Sequence, residues 1–384
     1  MNFALNEEQL TFQQEMRELA KTEFASGARQ RDEDEDFKPI CDIFKSKFGS
    51  LGLMGLTMPK EYGGMSKSYI YFVIAMIELC RVDVSVGSAW SVCLSIGSVP
   101  IMKFGTEEQK KKYLVPLAKG EKLCAFGLTE ENAGSDSAMQ ETTAELDGDA
   151  YILNGTKIYV TNAGYADTYI VFAMTDKAKG TKGISAFIVE KGTQGFTFGP
   201  EYKKMGIRAT AQRALIFENC RIPKENLLGK EGQGFKIAMT ALDVGRVGVA
   251  GQAVGGALGA YELALESAKN RIQFGKPVFA NQGVSFMLAD MATKIELAQL
   301  LLYKTAWLMQ EGFPYSKDAA MAKLVCTDTA MEVTTNAVQI LGGKGFLREN
   351  EVERFMRDAK ILQIYEGTNE IMKLILANSL SLPD

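Results

Sequence analysis

The chain has 384 residues, 46% of them apolar and 23% charged, enough for two or three domains with large cores. Its 43 basic and 47 acidic residues leave a net charge of −4, which gives no reason to expect nucleic acid or a membrane surface as a partner. There is no histidine, so Ser-His-Asp and Cys-His triads are excluded and the commonest ligand of zinc and haem is missing.

Residues 1–23 are amphipathic and carry acids, unlike a secretory or transit leader. No run reaches the roughly 18 uninterrupted apolar residues of a membrane span. From about Asn6 to Lys119 the pattern is helical: Leu10, Phe12, Met16, Leu19 and Phe24 recur at near-helical steps, and Tyr71 to Leu79 reads as an apolar helix. Pro59-Lys60-Glu61-Tyr62-Gly63-Gly64 reads as a loop. Strands dominate from about Cys124 to Leu228. Tyr151-Ile152-Leu153, then Asn154-Gly155, then Lys157-Ile158-Tyr159-Val160 predicts a hairpin with a two-residue turn. Residues 169–174, 184–189, 196–198 and 214–217 read as further strands between Gly-rich turns, which suggests a compact barrel or sandwich. Long helices follow Gly232-Gln233-Gly234, at about 235–270, 282–311, 316–341 and after Thr368. The chain is therefore expected to be α+β and multidomain. An N-terminal helical domain (1–122) precedes a middle β-barrel or sandwich domain (123–230) and a C-terminal four-helix-bundle domain (231–384).

Six separated cysteines with no CxxC pair fit a reducing, cytoplasmic setting and predict neither a disulfide frame nor a metal site. No GxGxxG opens a helix after a strand and no GxxxxGK[ST] occurs, so a Rossmann or P-loop site is not expected. Gly251, Gly255, Gly256 and Gly259 fall inside a long helix and read as close-packing positions. Three segments admit two readings each. Residues 126–136 could bond a planar heterocycle or be an ordinary polar loop. Arg271, in 271–277, suits a diphosphate, or a helix dipole at its C-terminal end. Gln339-Ile340-Leu341-Gly342-Gly343 is also an ordinary helix C-cap.

The segment Ile364-Tyr365-Glu366-Gly367-Thr368-Asn369-Glu370 places a carboxylate between two apolar-periodic runs, Ala359-Ile361-Leu362-Ile364 and Ile371-Leu374-Ile375-Leu376. A poorly solvated glutamate there would have a pKa raised toward the range of a general base. The alternative is a helix start, with Thr368 as N-cap and an acid favouring the dipole.

Together these segments resemble one family. Residues 126–136, Tyr159-Val160-Thr161-Asn162, Lys204-Met205-Gly206-Ile207-Arg208, 271–277, 339–343, Arg357-Asp358-Ala359-Lys360 and 365–370 are similar, in order and spacing, to motifs of the acyl-CoA dehydrogenases. The likeness spans essentially the whole chain and is nearest to the short-chain, butyryl-CoA-type branch. It implies an FAD-dependent homotetramer, a dimer of dimers. The implied reaction converts an acyl-CoA to a trans-2-enoyl-CoA and passes electrons to an electron-transferring flavoprotein. By position, Glu366 would remove the α-proton while flavin N5 accepts the β-hydride. Phe126, Leu128, Thr129, Ser135, Tyr159, Val160 and Thr161 would line the flavin, and Thr368 and Glu370 would hold it from the catalytic loop. Arg271, Gln282, Gln339, Gly342 and Gly343 would reach the FAD diphosphate and adenosine of a neighbouring subunit. Ser135, Asp243, Arg246 and Gly367 would contact the acyl-CoA. Isovaleryl-type relatives carry the base at the position of Gly245, which has no side chain here. Trp90 and Ser91 fall in a region that contributes to the acyl cavity, and with Glu131, Asn281, Lys344 and Asn350-Glu351 they depart from the usual pattern. A cyclic or aryl acyl group, or the same flavin chemistry run as an enoyl-CoA reductase, is the alternative. An acyl-CoA oxidase and a non-catalytic CoA-binding scaffold are the remaining classes.

Overall fold

A computed structural model describes residues 4–380; residues 1–3 and 381–384, the outer ends of the two expected helical domains, lie outside the described residues. Helix α1 (Glu7–Phe24) starts on a capping box, in which the Asn6 side chain accepts from the Gln9 N–H and the Gln9 side chain accepts from the Asn6 N–H. Short helices α2 (Ala28–Asp34) and α3 (Lys38–Ile43) follow, and then α4 (Tyr69–Cys80). Residues Tyr71 to Cys80 of α4 are all buried, because other helices cover every side of it. Its one acid, Glu78, meets Arg17 at 2.9 Å and Arg81 at 3.4 Å. Helix α5 (Val84–Val92) is capped by Asp83 and runs through a π-helical turn (Cys93–Gly97) into α6 (Ser98–Phe104). This stretch is long and apolar enough to cross a membrane, but its most apolar part is wholly buried inside the protein. It is a core helix. Helix α7 (Glu107–Ala118) closes the domain behind a second capping box, Thr106 with Gln109.

The middle domain is one eight-stranded sheet: β1 (Cys124–Gly127), β2 (Thr143–Asp147), β3 (Ala150–Thr161), β4 (Thr168–Met174), β5 (Ile184–Glu190), β6 (Phe196–Phe198), β7 (Gln212–Pro223) and β8 (Leu227–Leu228). The order is β6-β7-β3-β2-β4-β5-β8, with β1 parallel to β4. The predicted hairpin turn at Asn154-Gly155 is wrong. β3 passes straight through it, paired to β2 on one side and β7 on the other. The register against β7 shifts between Leu153 and Gly155, so the pair marks a bulge. Glycine is needed there because a Cβ at Gly155 would stand 2.7 Å from the Thr142 backbone. The true turn is at Gly148, between Asp147 and Ala150, with φ 64.

The chain then returns to helices: α8 (Gly234–Asn270), a small hairpin of β9 (Ile272–Gln273) and β10 (Lys276–Pro277), α9 (Gln282–Gln310), α10 (Ser316–Leu341), α11 (Gly343–Phe346), α12 (Val352–Leu362) and α13 (Asn369–Leu380). The glycines of α8 are packing positions, as expected: a Cβ at Gly255 would lie 2.5 Å from Ile77 O, and Gly251 faces Met76 of α4. The predicted apolar runs around residue 366 hold only in part. Ala359 and Leu362 are buried, but Ile364 is 47% exposed and Leu374 54%.

Helix α12 ties the three domains together. Asp358 Oδ1 accepts from the Ile207 N–H of the middle domain at 2.5 Å. Arg357 pairs with Asp32 at 2.6 Å, and Arg354 donates to Val82 O at 2.9 Å. The helix therefore sets where the loop after it, carrying Glu366, stands.

Candidate active site

Residues 363–368 link α12 to α13 as a tight turn. The Asn369 N–H donates back to Gln363 O at 3.0 Å, and the Ile371 N–H donates to Thr368 Oγ1 at 3.3 Å. Thr368 is thus the cap that the helix-start reading expects, yet Glu366 lies outside the cap. It has φ 54 and Gly367 φ 93, a left-handed pair that is costly at a glutamate and persists only where the surroundings enforce it. The φ of Gly367 is what calls for glycine there; the nearest atom to a Cβ would be the flexible Met372 Cε, at 2.7 Å.

The turn aims the carboxylate inward. Glu366 as a whole is half-buried, but its Oε2 is out of reach of solvent and receives no hydrogen bond among the described residues. Burial pushes its pKa up to about 8, against the pull of the Arg246 and Lys323 cations. The carboxylate points at α8 where Gly245 stands, and a Cβ there would overlap Glu366 Oε2. Gly245 is therefore the space into which the acid projects. Arg246, next in sequence, donates from Nε to Glu366 O at 3.4 Å and pairs with Asp243 at 2.7 Å. Asp243 also borders a cleft of about 430 Å³, lined further by Lys103, Thr240, Phe313, Tyr315 and Ser316.

An apolar wall adjoins the carboxylate. Val92, Ile96 and Ala241 form a small buried cluster, with Phe126 and Leu242 packed on it. Ile96 Cγ2 lies 2.8 Å from where a Gly245 Cβ would be, so the cluster on which Phe126 of the middle domain packs reaches the position that Glu366 Oε2 faces. Trp90 takes no part: it is fully buried against Phe48 and Phe72, and its Nε1 donates to Leu53 O at 3.3 Å. Its neighbour Ser91 faces α8 at Gly248, with a buried Oγ that has no partner among the described residues. Next to Glu366 in the chain, the Tyr365 hydroxyl donates to Gln252 and lies 3.2 Å from Ser88 Oγ.

The acyl-CoA dehydrogenase N-terminal, middle and C-terminal domain families match residues 6–121, 125–220 and 232–381. This chain belongs to the acyl-CoA dehydrogenase family. The short-chain specific acyl-CoA dehydrogenase of Clostridium acetobutylicum is 50% identical over 380 residues, 99% of this chain and 100% of that protein. The structure of butyryl-CoA dehydrogenase from Megasphaera elsdenii superposes with a TM-score of 0.95 at 47% identity, covering 99% and 100% of the two chains. A chain from the structure of the electron transferring flavoprotein of Acidaminococcus fermentans, described as bearing on flavin-based electron bifurcation, has a TM-score of 0.97 at 50% identity over 100% of both chains. The three-part fold and the FAD-dependent oxidoreductase class expected from the motifs stand with the family.

For an acyl-CoA dehydrogenase the remaining expected residues fall into two groups. The first is on the middle domain. The Ile158 N–H donates to Thr129 O at 2.8 Å, which joins the 126–136 loop to β3. Beneath them a fully buried Lys157 donates to Leu128 O at 3.2 Å and to Gln140 at 3.0 Å, and pairs with Glu130. Tyr159 has φ 58 and is 61% exposed, while Val160 is buried and Thr161 Oγ1 accepts from Gln212 at 3.0 Å. Asn162, with φ 66, is buried and donates to Ala89 O and Cys124 O. Ser135 is exposed on an open part of the loop. The second group is at the far ends of α8 and α10. Arg271 donates to Leu341 O at 3.1 Å beside Gly342, with Gln339 and Gly343 exposed; Gln282 begins α9, also exposed. Arg271 thus does bond a helix C-terminus, and among the described residues its guanidinium makes no other hydrogen bond.

These residues fit an FAD. A flavin needs an apolar face and hydroxyl and amide donors at its polar edge, and Phe126, Leu128, Tyr159, Thr129 and Thr161 have those characters. A diphosphate needs a cation with free donors, which Arg271 has. Backbone strain also gathers here: of the eight described non-glycine residues with positive φ, Tyr159, Asn162, Ile207, Phe274 and Glu366 lie in the predicted motifs.

Sequence reading missed Lys323. It sits on α10 among Ala319, Ala320, Ala322 and Thr327, 0% exposed, and donates from Nζ to Gly367 O and Asn369 Oδ1, each at 2.8 Å. The signal was a lone lysine on an otherwise small, apolar helix face.

Proposed function

We propose that this acyl-CoA dehydrogenase acts on a short acyl-CoA thioester, with Glu366 removing the α-proton to give a trans-2-enoyl-CoA. The observation that carries this reading is the buried Oε2 of Glu366, without a hydrogen-bond partner among the described residues and held against the side-chain-free Gly245 position. A carboxylate without donors is a strong base for its type, and burial supplies the proton affinity the reaction asks of it. The Ile96, Val92, Ala241 and Phe126 wall would exclude water from the acyl α- and β-carbons. Arg246 and Asp243, beside the cleft, would receive the CoA arm, and Gly367 would lie against the thioester. The Glu366 N–H would donate to the thioester oxygen as negative charge develops there.

FAD, when bound, supplies the acceptor for the β-hydride. Phe126, Leu128, Thr129, Ser135, Tyr159, Val160, Thr161, Thr368 and Glu370 would hold its flavin end, and Arg271, Gln282, Gln339, Gly342 and Gly343 of a neighbouring copy its other end. A homotetramer, as a dimer of dimers, supplies that neighbour. In support, Phe274 is 98% exposed and Phe346 82%, both beside the Arg271 and Gly342 set. The likeness to the chain solved with an electron transferring flavoprotein supports such a flavoprotein as electron partner. Six free, buried cysteines support a cytoplasmic setting.

The test is Glu366→Gln. The variant should remain a yellow, acyl-CoA-binding protein whose anaerobic bleaching by butyryl-CoA is at least ~10³-fold slower, as for loss of a positioned base. Near-normal bleaching would refute the assignment. In the parent, only the ionised carboxylate acts as base, so the bleaching rate should rise with pH through about 8.

A further inference from the structure

Lys323 is a buried lysine with no carboxylate in ion-pair reach among the described residues, while across the same turn Glu366 buries a carboxylate oxygen, Oε2, that no donor among them reaches. Desolvated charges of both signs are costly to keep apart, and such arrangements gather at functional sites. Their common element is the left-handed turn. Each of its two carbonyls is held by a cation from a different helix: Glu366 O by Arg246 of α8, and Gly367 O by Lys323 of α10. Lys323 is itself fixed by Asn369 Oδ1, and Asn369 donates to Thr327 Oγ1 at 3.0 Å and to Asp328 at 2.7 Å. Gln363, at the start of the turn, donates to the same Asp328 carboxylate at 2.6 Å. One lysine and one asparagine thus brace both ends of the segment that carries the base.

We propose that Lys323 is a positioning residue for the reaction: through Gly367 O and Asn369 it holds the Glu366 turn in the strained form that aims the carboxylate at Gly245. The inference rests on Glu366 being the base.

The charged groups around the pair are few. Arg246, itself paired with Asp243, faces Glu366 from α8 and Lys323 faces it from α10, while Asp328 of α10 and Glu370 of α13 act on Lys323. Lys323 and Arg246 lower the proton affinity of the Glu366 carboxylate, which burial raises. Burial likewise brings Lys323 down to about 8, while Glu366, Asp328 and Glu370 oppose that shift. Removing the ammonium should therefore raise the pH at which Glu366 ionises. A base that is useful only when ionised then loses rate at neutral pH and regains it in alkali.

The experiment is the pH profile of anaerobic bleaching by butyryl-CoA, on flavin-loaded protein, for Lys323→Met, Lys323→Arg and Asn369→Asp beside the parent and Glu366→Gln. Lys323→Met should move the acid limb up by about one pH unit, a loss of about tenfold at pH 7. Lys323→Arg, which keeps the charge, should leave the limb near the parent's. Asn369→Asp sets a carboxylate against the ammonium and should move the limb in the same direction as Lys323→Met. It also stands in if the methionine variant does not fold. A parental limb in the folded, flavin-loaded Met or Asp variant overturns the proposal, since a merely structural lysine would lower flavin content or thermal stability without moving the limb. If Glu366→Gln bleaches like the parent, it is the assignment of the base that fails instead.

Discussion

The chemistry proposed for this chain depends on what lies opposite one side chain. Glu366 reaches toward α8, and the residue there is glycine. Gly245→Ala would put a methyl group where Glu366 Oε2 now stands, so the acid must move or the turn must open. A displacement of about 1 Å at a reacting group costs on the order of 10²-fold in rate. We expect that loss in the rate of anaerobic bleaching, with flavin content unchanged because Gly245 is not among the flavin-lining positions. A variant with the parental rate would mean that the carboxylate works from another position. Strain matters at the same scale. Glu366 holds φ 54 because Arg246 and Lys323 bind the carbonyls on either side of its bond to Gly367, and because Asn369 closes the turn on Gln363.

At the scale of elements, α8 is the axis of the site. Its glycines serve two purposes on one helix. Gly245 leaves room for the base, whereas Gly255 and Gly259 let α8 approach the end of α4 closely enough to touch its carbonyls. Gly255→Ala should therefore act as an overpacking change, costing about 1–3 kcal/mol in thermal or denaturant unfolding. Were it neutral or stabilising, the helices could separate at no cost, and the close approach would not be what fixes Gly255. The π-helical turn between α5 and α6 belongs here too. It places Ile96 against the Gly245 position, and π turns are often retained where they aim a functional wall.

At the scale of the whole molecule, α12 decides whether the three domains present one site. Arg354 is buried and lies 3.6 Å from Asp83 and 3.7 Å from Asp358, and Arg31 reaches Asp83 from α2 at 2.9 Å. Asp358 in turn holds Ile207, and burial pushes its pKa up to about 7. Arg354→Met would leave these buried carboxylates short of a cation. It should lower stability by about 3–5 kcal/mol, read as the unfolding midpoint in denaturant. A loss below 1 kcal/mol would show that Arg31 and Arg357 suffice to compensate them.

The order of helical, β and helical domains was legible because it rests on local periodicity and long amphipathic or apolar runs, which need no knowledge of neighbours. So were the long helices, the packing role of the α8 glycines, and the candidacy of Glu366, whose motif and missing Gly245 partner are written in residue types. The Asn154-Gly155 turn was misread because a turn dipeptide looks the same in a bulge; only pairing of β3 on both sides, with Thr142 pressed against Gly155, separates the two. Trp90 and Ser91 are adjacent in sequence but face opposite ways, so only packing told which one meets α8. Lys323 was invisible for the same reason. Its importance lies in contacts 44 and 46 residues away, with Gly367 and Asn369, and a charge acquires its pKa from what surrounds it rather than from its place in the chain.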